Sequence, residues 1–245
     1  MKKVLILISI FSFTYGQDLD RFEEELVPAE RFNVITTNEI EDKSFTPLII
    51  LNKKQSNFVW TGGLKLGATN HEGNLKMKSG NINLENNKIT GEVIIDMLSL
   101  SNNDLPEGPG ERLVGHLRSP DFFNVDRFPT AKLTIEKSKI FEKLGDGSYK
   151  MVIDGLMTIK GKTNPVTFEA KINLNSKVKT AEGKLTFNRN DFDIQYRSEM
   201  HLDNPKSFWN KLQTTKDTAK DKVIRDIIEI NFKVISSLRN SDYLP

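Results

Sequence analysis

The segment Pro165-Val-Thr-Phe-Glu-Ala-Lys-Ile-Asn-Leu174 decides the fold class of this chain. Apolar side chains occupy every second position of the segment: Val166, Phe168, Ala170, Ile172 and Leu174. Polar side chains fill the positions between them. An alternation of period two predicts a β-strand with one buried face and one solvated face.

The same alternation recurs along the chain, which makes a β protein the expected fold class. The apolar sets are Ile89, Gly91, Val93 and Ile95; Ala131, Leu133 and Ile135; Tyr149, Met151, Ile153, Met157 and Ile159; and Ile228, Ile230, Phe232 and Val234. Turn signals separate the runs at residues 85–87, 144–147, 160–162 and 182–183. Such short connections predict antiparallel hairpins, and many adjacent hairpins make a sandwich or a barrel. Closure into a barrel would remove the exposed strand edges.

Two short segments interrupt the strands and are predicted to be helical. In Glu111 to Phe123, Leu113 and Leu117 lie one helical turn apart, and in Asn204 to Leu212 a proline occupies the first helical position. Helices this short are stable only when they pack against something. We therefore expect them across a barrel end.

The N-terminus predicts export. Lys2 and Lys3 precede the apolar run Val4 to Phe13, and Thr14-Tyr15-Gly16 provides small residues before a cleavage site after Gly16. The alternative is a membrane anchor, but the run is shorter than the roughly 18 apolar residues that span a bilayer. A periplasmic or secreted location follows, and no later segment predicts a transmembrane span. We divide the chain into a signal peptide (1–16), an N-terminal extension (17–46), a barrel domain (47–237) and a C-terminal tail (238–245).

Composition argues against several functional classes. Cleavage leaves the chain near neutrality, because 35 basic residues lose two lysines against 33 acidic ones, so nucleic acid is not an expected partner. Cysteine is absent, and His71, His116 and His201 are scattered, so we expect no metal site. No serine–histidine triad, phosphate loop or dinucleotide fingerprint is evident, so we expect no catalytic residues and no cofactor. A pair of carboxylates placed for hydrolysis stays open at this stage.

Several segments resemble the YceI-like proteins. They are Gly115-His-Leu-Arg-Ser-Pro-Asp-Phe-Phe-Asn-Val125 with Phe128-Pro-Thr-Ala131, Asp154-Gly-Leu-Met-Thr-Ile-Lys-Gly161 with Asn164-Pro-Val-Thr-Phe168, and Phe187-Asn-Arg-Asn-Asp-Phe192. The resemblance runs from about Leu48 to Ile235. It implies an extended, lipocalin-like antiparallel β-barrel of about eight strands with short helices near its ends, and a polyisoprenoid ligand such as a quinone or polyprenyl lipid. A homodimer would be unsurprising in this family.

The chain departs from the family pattern in two places. The arm before Thr46 is longer than in compact members, and Asp191-Phe192-Asp193 stands where the family has Asp-Phe-Gly. The second departure puts the conformation of that turn in question.

The inward positions of the strands are the candidate lumen. The predicted ligand-binding residues are Trp60, Val93, Ile95, Leu133, Ile135, Met151, Ile153, Met157, Phe168, Ile172, Phe187 and Phe232. The candidates for a mouth or lid are Leu113, Leu117, Phe122, Phe123, Arg118 and Arg189.

Each candidate also has a purely structural interpretation. The apolar stripes can be a packed core, and the two phenylalanines can clamp a turn onto the barrel. Arg118 and Arg189 can bind an anionic head group, or they can lock loops through ion pairs and turn networks. His116 is expected on the short helix, bonded to a neighbouring backbone group.

The sequence leaves three functions open. The first is an exported, non-enzymatic carrier or reservoir that encloses an isoprenoid lipid in the barrel. The second is a filled barrel that acts as an envelope stress or interaction protein without a ligand. The third is a hydrolase, which would need an acid or base with a perturbed pKa in the lumen.

Overall fold

The computed structural model describes residues 48–66, 70–198, 200 and 223–237. The described strands are β1 (Ile49–Ile50), β2 (Asn57–Gly63), β3 (Asn70–Glu85), β4 (Lys88–Asp96), β5 (Thr130–Gly145), β6 (Ser148–Ile159), β7 (Lys162–Asn173), β8 (Thr180–Asn188) and β9 (Ile227–Ile235). The described helices are α1 (Glu107–Arg118) and two 3-10 helices, Met97–Ser99 and Arg189–Phe192. Outside the described residues lie the predicted signal peptide (1–16), the extension (17–46), the helix at 204–212, His201 and the tail (238–245).

Strands β2 to β9 form a closed, eight-stranded antiparallel barrel. From β2 to β9, each strand pairs with the next one in the sequence. In addition, β2 pairs with β9, which closes the ring. The short strand β1 adds to the far half of β3, with Ile49 opposite Ile82. The extended, lipocalin-like antiparallel barrel predicted from the sequence is confirmed.

The inward-facing sets predicted from the alternation are confirmed. All of them contribute to the buried core or pack against it, apart from Gly91. The register of β5 against β6 shifts between Ile135 and Lys137, and this β-bulge moves the inward positions of β5 from odd to even numbers. For this reason Ile140 packs against the core although it breaks the parity of Ile135.

Three of the four predicted turns are present, and the fourth is wrong. Asn86 and Asn87 turn the β3–β4 hairpin with positive φ angles of 49° and 61°, and the β5–β6 and β6–β7 hairpins turn where expected. Gly183, in contrast, lies within β8 opposite Ala170 and Phe232. A Cβ atom at this position would lie 2.9 Å from the Phe232 ring, so the glycine makes room for an inward aromatic side chain rather than a turn.

Helix α1 begins earlier and ends earlier than the predicted helix at Glu111 to Phe123. It starts at Glu107 because Pro109 falls in the first turn, where backbone N–H groups have no helical acceptor anyway. It ends at Arg118, and residues 119–128 continue as tight turns in which Asn124 has a positive φ angle of 48°.

The barrel has two distinct ends, which we call the helix end and the hairpin end. The helix end carries α1, both 3-10 helices and the β2–β3 and β6–β7 connections. The hairpin end carries the β1–β2, β3–β4, β5–β6 and β7–β8 connections. Among the residues described, no helix is long and apolar enough to cross a membrane.

Candidate functional site

A cavity of about 440 Å³ runs through the barrel and is lined almost entirely by apolar side chains. Its volume lies within the range of roughly 300–1,000 Å³ that is usual for small-molecule sites. Eleven of the twelve predicted lumen residues border it: Trp60, Val93, Ile95, Leu133, Ile135, Ile153, Met157, Phe168, Ile172, Phe187 and Phe232. Their contact with a ligand stays a prediction.

Met151 is the predicted lumen residue that does not border the cavity. It is fully buried, with no exposed surface, and belongs to the packed core between Ile140 and Ala170, its partners on β5 and β7. An inward parity therefore places a side chain inside the barrel, but neighbouring side chains decide whether it reaches open space.

Several inward residues are only partly buried although they face the interior. Ile95, Leu133, Ile230 and Phe232 border the cavity and retain exposed surface. In a barrel filled by its own side chains, such residues would be covered. Their residual exposure shows that the lumen is open over its central section.

Other parts of the cavity wall were not predicted from the sequence. Phe58, Leu75, Leu185 and Ile230 line it as well. The signal for Phe58 was its shared parity with Trp60 in β2, and that for Leu185 its shared parity with Phe187 in β8. Leu75 follows the inward Gly73 in β3 but is surrounded there by polar residues, which hides the alternation.

Trp60 anchors the helix end of the lumen. Its side chain is buried, and its indole N–H donates to the backbone oxygen of Ser101 at 3.0 Å, as a buried tryptophan requires. Gly73 lies opposite Trp60 on β3. A Cβ atom on Gly73 would lie 1.7 Å from the oxygen of Ser101, so only glycine allows this close approach of the loop.

His71 and Asp104 place a polar pair beside the cavity at the helix end. His71 borders the cavity, and its Nδ1 lies 2.8 Å from Oδ2 of Asp104. The backbone N–H of Glu72 and the amide of Asn102 also donate to Asp104. Partial burial by itself raises the pKa of Asp104, but the hydrogen bonds from His71, Glu72 and Asn102 outweigh it, so the pKa lies below its ordinary value.

Lys179, Thr180 and Ser236 border the cavity at the hairpin end. The backbone N–H of Lys179 donates to the Ser236 hydroxyl at 2.9 Å, which ties the β7–β8 connection to the residue after β9. The ammonium group of Lys179 donates to the oxygen of Ser176 at 2.7 Å. Each end of the apolar lumen thus has a polar group at its margin.

Helix α1 and the turn after it contribute the predicted lid residues. Leu113, Leu117, Phe122 and Phe123 all border the cavity at the helix end. Phe122 is buried and packs edge-on against the ring of His116, with centroids 5.0 Å apart. Phe122 therefore also clamps the turn onto the barrel, so the two interpretations of this residue are compatible.

The two arginines predicted at the mouth are engaged by backbone groups. Arg118 does not border the cavity and donates to the oxygens of Leu98 and Leu100, at 2.6 and 2.8 Å, which fixes α1 to the first 3-10 helix. Arg189 borders the cavity, but only 1% of its surface is exposed, and its guanidinium donates to the backbone oxygens of Ile194 and Tyr196 at 2.8 Å. These contacts favour the structural network over a free head-group contact for both side chains.

Asp193 resolves the question raised by the departure from Asp-Phe-Gly. It adopts the left-handed conformation with φ 56° and ψ 33°, and its N–H bonds back to the oxygens of Arg189 and Asn190. Aspartate tolerates this conformation better than most residues. The turn therefore forms without glycine.

His116 lies on α1 as predicted, but the expected bond from its ring to a backbone group is absent in the described part of the chain. Its Nε2 is 3.7 Å from Oδ2 of Asp121 and has no hydrogen-bond partner there. The ring packs between Phe122 and Tyr196. Among the residues described, no group of three histidine, cysteine, aspartate or glutamate side chains could hold a metal ion.

Comparison with known proteins identifies relatives of this chain. The family model of the YceI-like domain matches residues 50–235. Proteins named YceI from Salmonella arizonae and Salmonella newport are 46% identical over 57 residues, which is 23% of this chain. The alignment spans about a quarter of the length of these curated relatives, 27%.

Solved structures share the fold. The crystal structure of BcnA from Burkholderia cenocepacia has a TM-score of 0.53 and 20% identity, over 76% of this chain and 99% of that one. A polyisoprenoid-binding domain from Saccharophagus degradans, implicated in plant cell wall breakdown, has a TM-score of 0.49 and 12% identity, over 77% and 97% of the two chains. At 20% identity, the similarity to BcnA demonstrates a common barrel.

Proposed function

This chain belongs to the YceI-like domain family, and we propose that it is an exported carrier or store that encloses a polyisoprenoid, such as a quinone or polyprenyl lipid, in its barrel. The tail of the ligand lies along the apolar lumen. The polar head group lies at one of its margins, near His71 or near Lys179. The N-terminal sequence supports export to the periplasm or beyond.

The observation that carries this proposal is the open apolar cavity of about 440 Å³. The side chains that line an empty apolar lumen lack packing partners on one side, which costs stability. An apolar ligand that fills the lumen supplies these partners and should stabilise the folded protein. The alternative of a barrel filled by its own side chains does not account for such a cavity.

A prenyl chain suits the shape and chemistry of the lumen. Each buried methylene contributes about 0.8 kcal/mol, so a long hydrocarbon needs no specific polar contact in order to bind. Association and ordering costs offset part of this gain. Selectivity would then depend on the length of the chain and on the polar margins rather than on the central wall.

A carrier fits the wall better than a hydrolase does. The titratable side chains that border the cavity in the described part of the chain are His71, Lys132, Lys179 and Arg189, and no carboxylate is among them. Hydrolysis by paired carboxylates would require two acidic groups beside the bound ligand.

The proposal is tested by replacing one inward and one outward residue of β7. Phe168 borders the cavity and packs edge-on against Phe232, with centroids 5.6 Å apart, whereas Lys171 faces solvent. Removing the ring in Phe168→Ala should weaken quinone binding about tenfold or more, since burial of such a side chain contributes about 1.5–3 kcal/mol. Lys171→Ala should leave binding unchanged.

Binding can be read from the fluorescence of Trp60, which borders the cavity and which a quinone in the lumen would quench. The chain has a second tryptophan, Trp209, so Trp209→Phe provides the parent for all variants. Equal dissociation constants for the Phe168 and Lys171 variants would contradict a ligand in the lumen.

A further inference from the structure

The β5–β6 hairpin projects exposed apolar side chains at the hairpin end. Phe141 and Leu144 on β5 are 48% and 39% exposed. Strand β5 pairs with β4 only up to Ile135. Beyond that residue, no strand of the described chain pairs with the β4-facing edge of the hairpin. Two large apolar groups at the tip of a hairpin are well placed to enter another apolar phase.

Lysines are concentrated at the same end of the barrel. The connections at the hairpin end and the adjoining strand ends contain six of them: Lys53, Lys54, Lys88, Lys143, Lys177 and Lys179. The same segments contain the carboxylates Glu85 and Asp146. Glu142 is occupied by Lys150 at 2.7 Å, so that pair contributes no net charge. This end of the barrel is therefore positively charged.

The helix end differs in charge rather than in apolar exposure. It also exposes large apolar side chains, such as Leu98 at 55%. Its basic side chains, however, are balanced by acidic ones, as in the pairs Arg189–Asp226, Lys162–Asp193 and His71–Asp104. Only the hairpin end combines apolar tips with an excess of positive charge among the described residues.

The lumen reaches the same end. Lys179 belongs to the lysine set and also borders the cavity, together with Thr180 and Ser236. A surface that binds at the hairpin end would thus lie next to the margin of the apolar lumen. This continuity relates the surface to the passage of a ligand that is almost insoluble in water.

We propose that the hairpin end docks onto anionic lipid bilayers, with Phe141 and Leu144 inserted at the interface and the lysines on the lipid head groups. Docking depends on this surface alone. Its use for exchange of the ligand between bilayer and lumen rests on the proposed function. Lysines near an anionic membrane surface are attracted to it cumulatively, and apolar side chains at the interface add to this binding.

Co-sedimentation with lipid vesicles tests the docking. The protein recovered from expressing cells should bind vesicles of equal parts phosphatidylglycerol and phosphatidylcholine more tightly than vesicles of phosphatidylcholine alone, and salt should weaken the binding. The double variant Lys143→Glu/Lys177→Glu should lose about tenfold or more in affinity. Phe141→Ser/Leu144→Ser should also bind more weakly.

A matched charge reversal at the helix end is the control. Lys76→Glu/Arg112→Glu changes two exposed cations there and should bind vesicles like the parent protein. Because every protein is the same chain, any contribution from residues outside the described part is common to all. Equal binding to both vesicle types, or equal losses in the two charge reversals, would overturn the proposal.

A second readout separates docking from the lumen. The hairpin variants should keep the quinone-dependent quenching of Trp60 and the melting temperature of the parent, since neither pair of residues borders the cavity. Loss of vesicle binding with quenching intact supports docking as a separate property. Vesicle binding that needs the hairpin end, in a protein that takes up no quinone, would retain docking and contradict the proposed function.

Discussion

Arg189→Ala is expected to destabilise the protein by about 3–5 kcal/mol, the usual cost of breaking a buried, paired charge. Only 1% of Arg189 is exposed. Its guanidinium donates to the backbone oxygens of Ile194, Tyr196, Ile224 and Arg225 at 2.8–3.2 Å. It also pairs with Asp226 at 3.2 Å.

These contacts join segments that are distant in the sequence. Arg189 follows β8, while Ile224 and Arg225 precede β9, so one side chain joins the segment after β8 to the segment before β9 at the helix end. Burial lowers the pKa of Arg189, and Asp226 opposes that shift. Arginine stays charged in proteins even so. Without the guanidinium, four carbonyl oxygens and one carboxylate would have to find other donors.

Urea denaturation measures this effect. Arg189→Lys keeps the charge, but an ammonium group cannot reach four carbonyl oxygens in the planar fork geometry of arginine, so an intermediate loss is expected. Should the alanine variant fail to fold, the lysine variant still gives a measurable value. Arg112→Ala, on the exposed face of α1, should change the stability by less than about 0.5 kcal/mol. An Arg189→Ala protein as stable as Arg112→Ala would contradict the network.

The second large effect is expected on binding. Leu133→Trp should weaken binding of a long prenyl quinone about a hundredfold or more, because a bulky ring would obstruct the apolar lumen on which the ligand's many methylene contacts depend. Leu133 borders the cavity between Val93 on β4 and Met157 on β6. It is only partly buried, so the larger side chain can enter open space rather than a packed core.

The obstruction should leave the fold intact. A tryptophan that fills part of the cavity also covers apolar surface, so the melting temperature of the ligand-free protein should stay the same or rise. Lys171→Trp, which adds the same ring on the outer face, should bind like the parent. Unchanged ligand affinity in Leu133→Trp with the fold retained would show that the ligand does not pass the centre of the lumen.

Local sequence patterns were sufficient for most of the barrel. The alternation in β7 and its neighbours predicts which face is buried, because successive side chains of a strand point to opposite faces and only one face contacts solvent. The pattern fails where a contact from elsewhere overrides it. Gly183 resembles a turn residue but makes room for Phe232, a partner nearly 50 positions away. The bulge in β5 reverses the parity after Ile135 without a local signal.

The candidate site was predicted less completely than the fold. Inward parity found most of the apolar wall, but it could not separate the packed Met151 from Phe168, which borders open space. The polar margins depend on contacts between residues distant in sequence, because pairing of β3 with β4 brings His71 near Asp104 and pairing of β8 with β9 brings Lys179 to Ser236. The roles of Arg118 and Arg189 depend on carbonyl groups that only the tertiary structure brings within reach.

The central claim is that the lumen holds a prenyl lipid, and native mass spectrometry of the protein recovered from expressing cells tests it most directly. We expect a complex with one bound lipid that is lost on denaturation, and organic extraction should then release a polyisoprenoid such as a quinone or polyprenol. The claim would be contradicted by a protein of bare mass that also binds no added quinone or polyprenol.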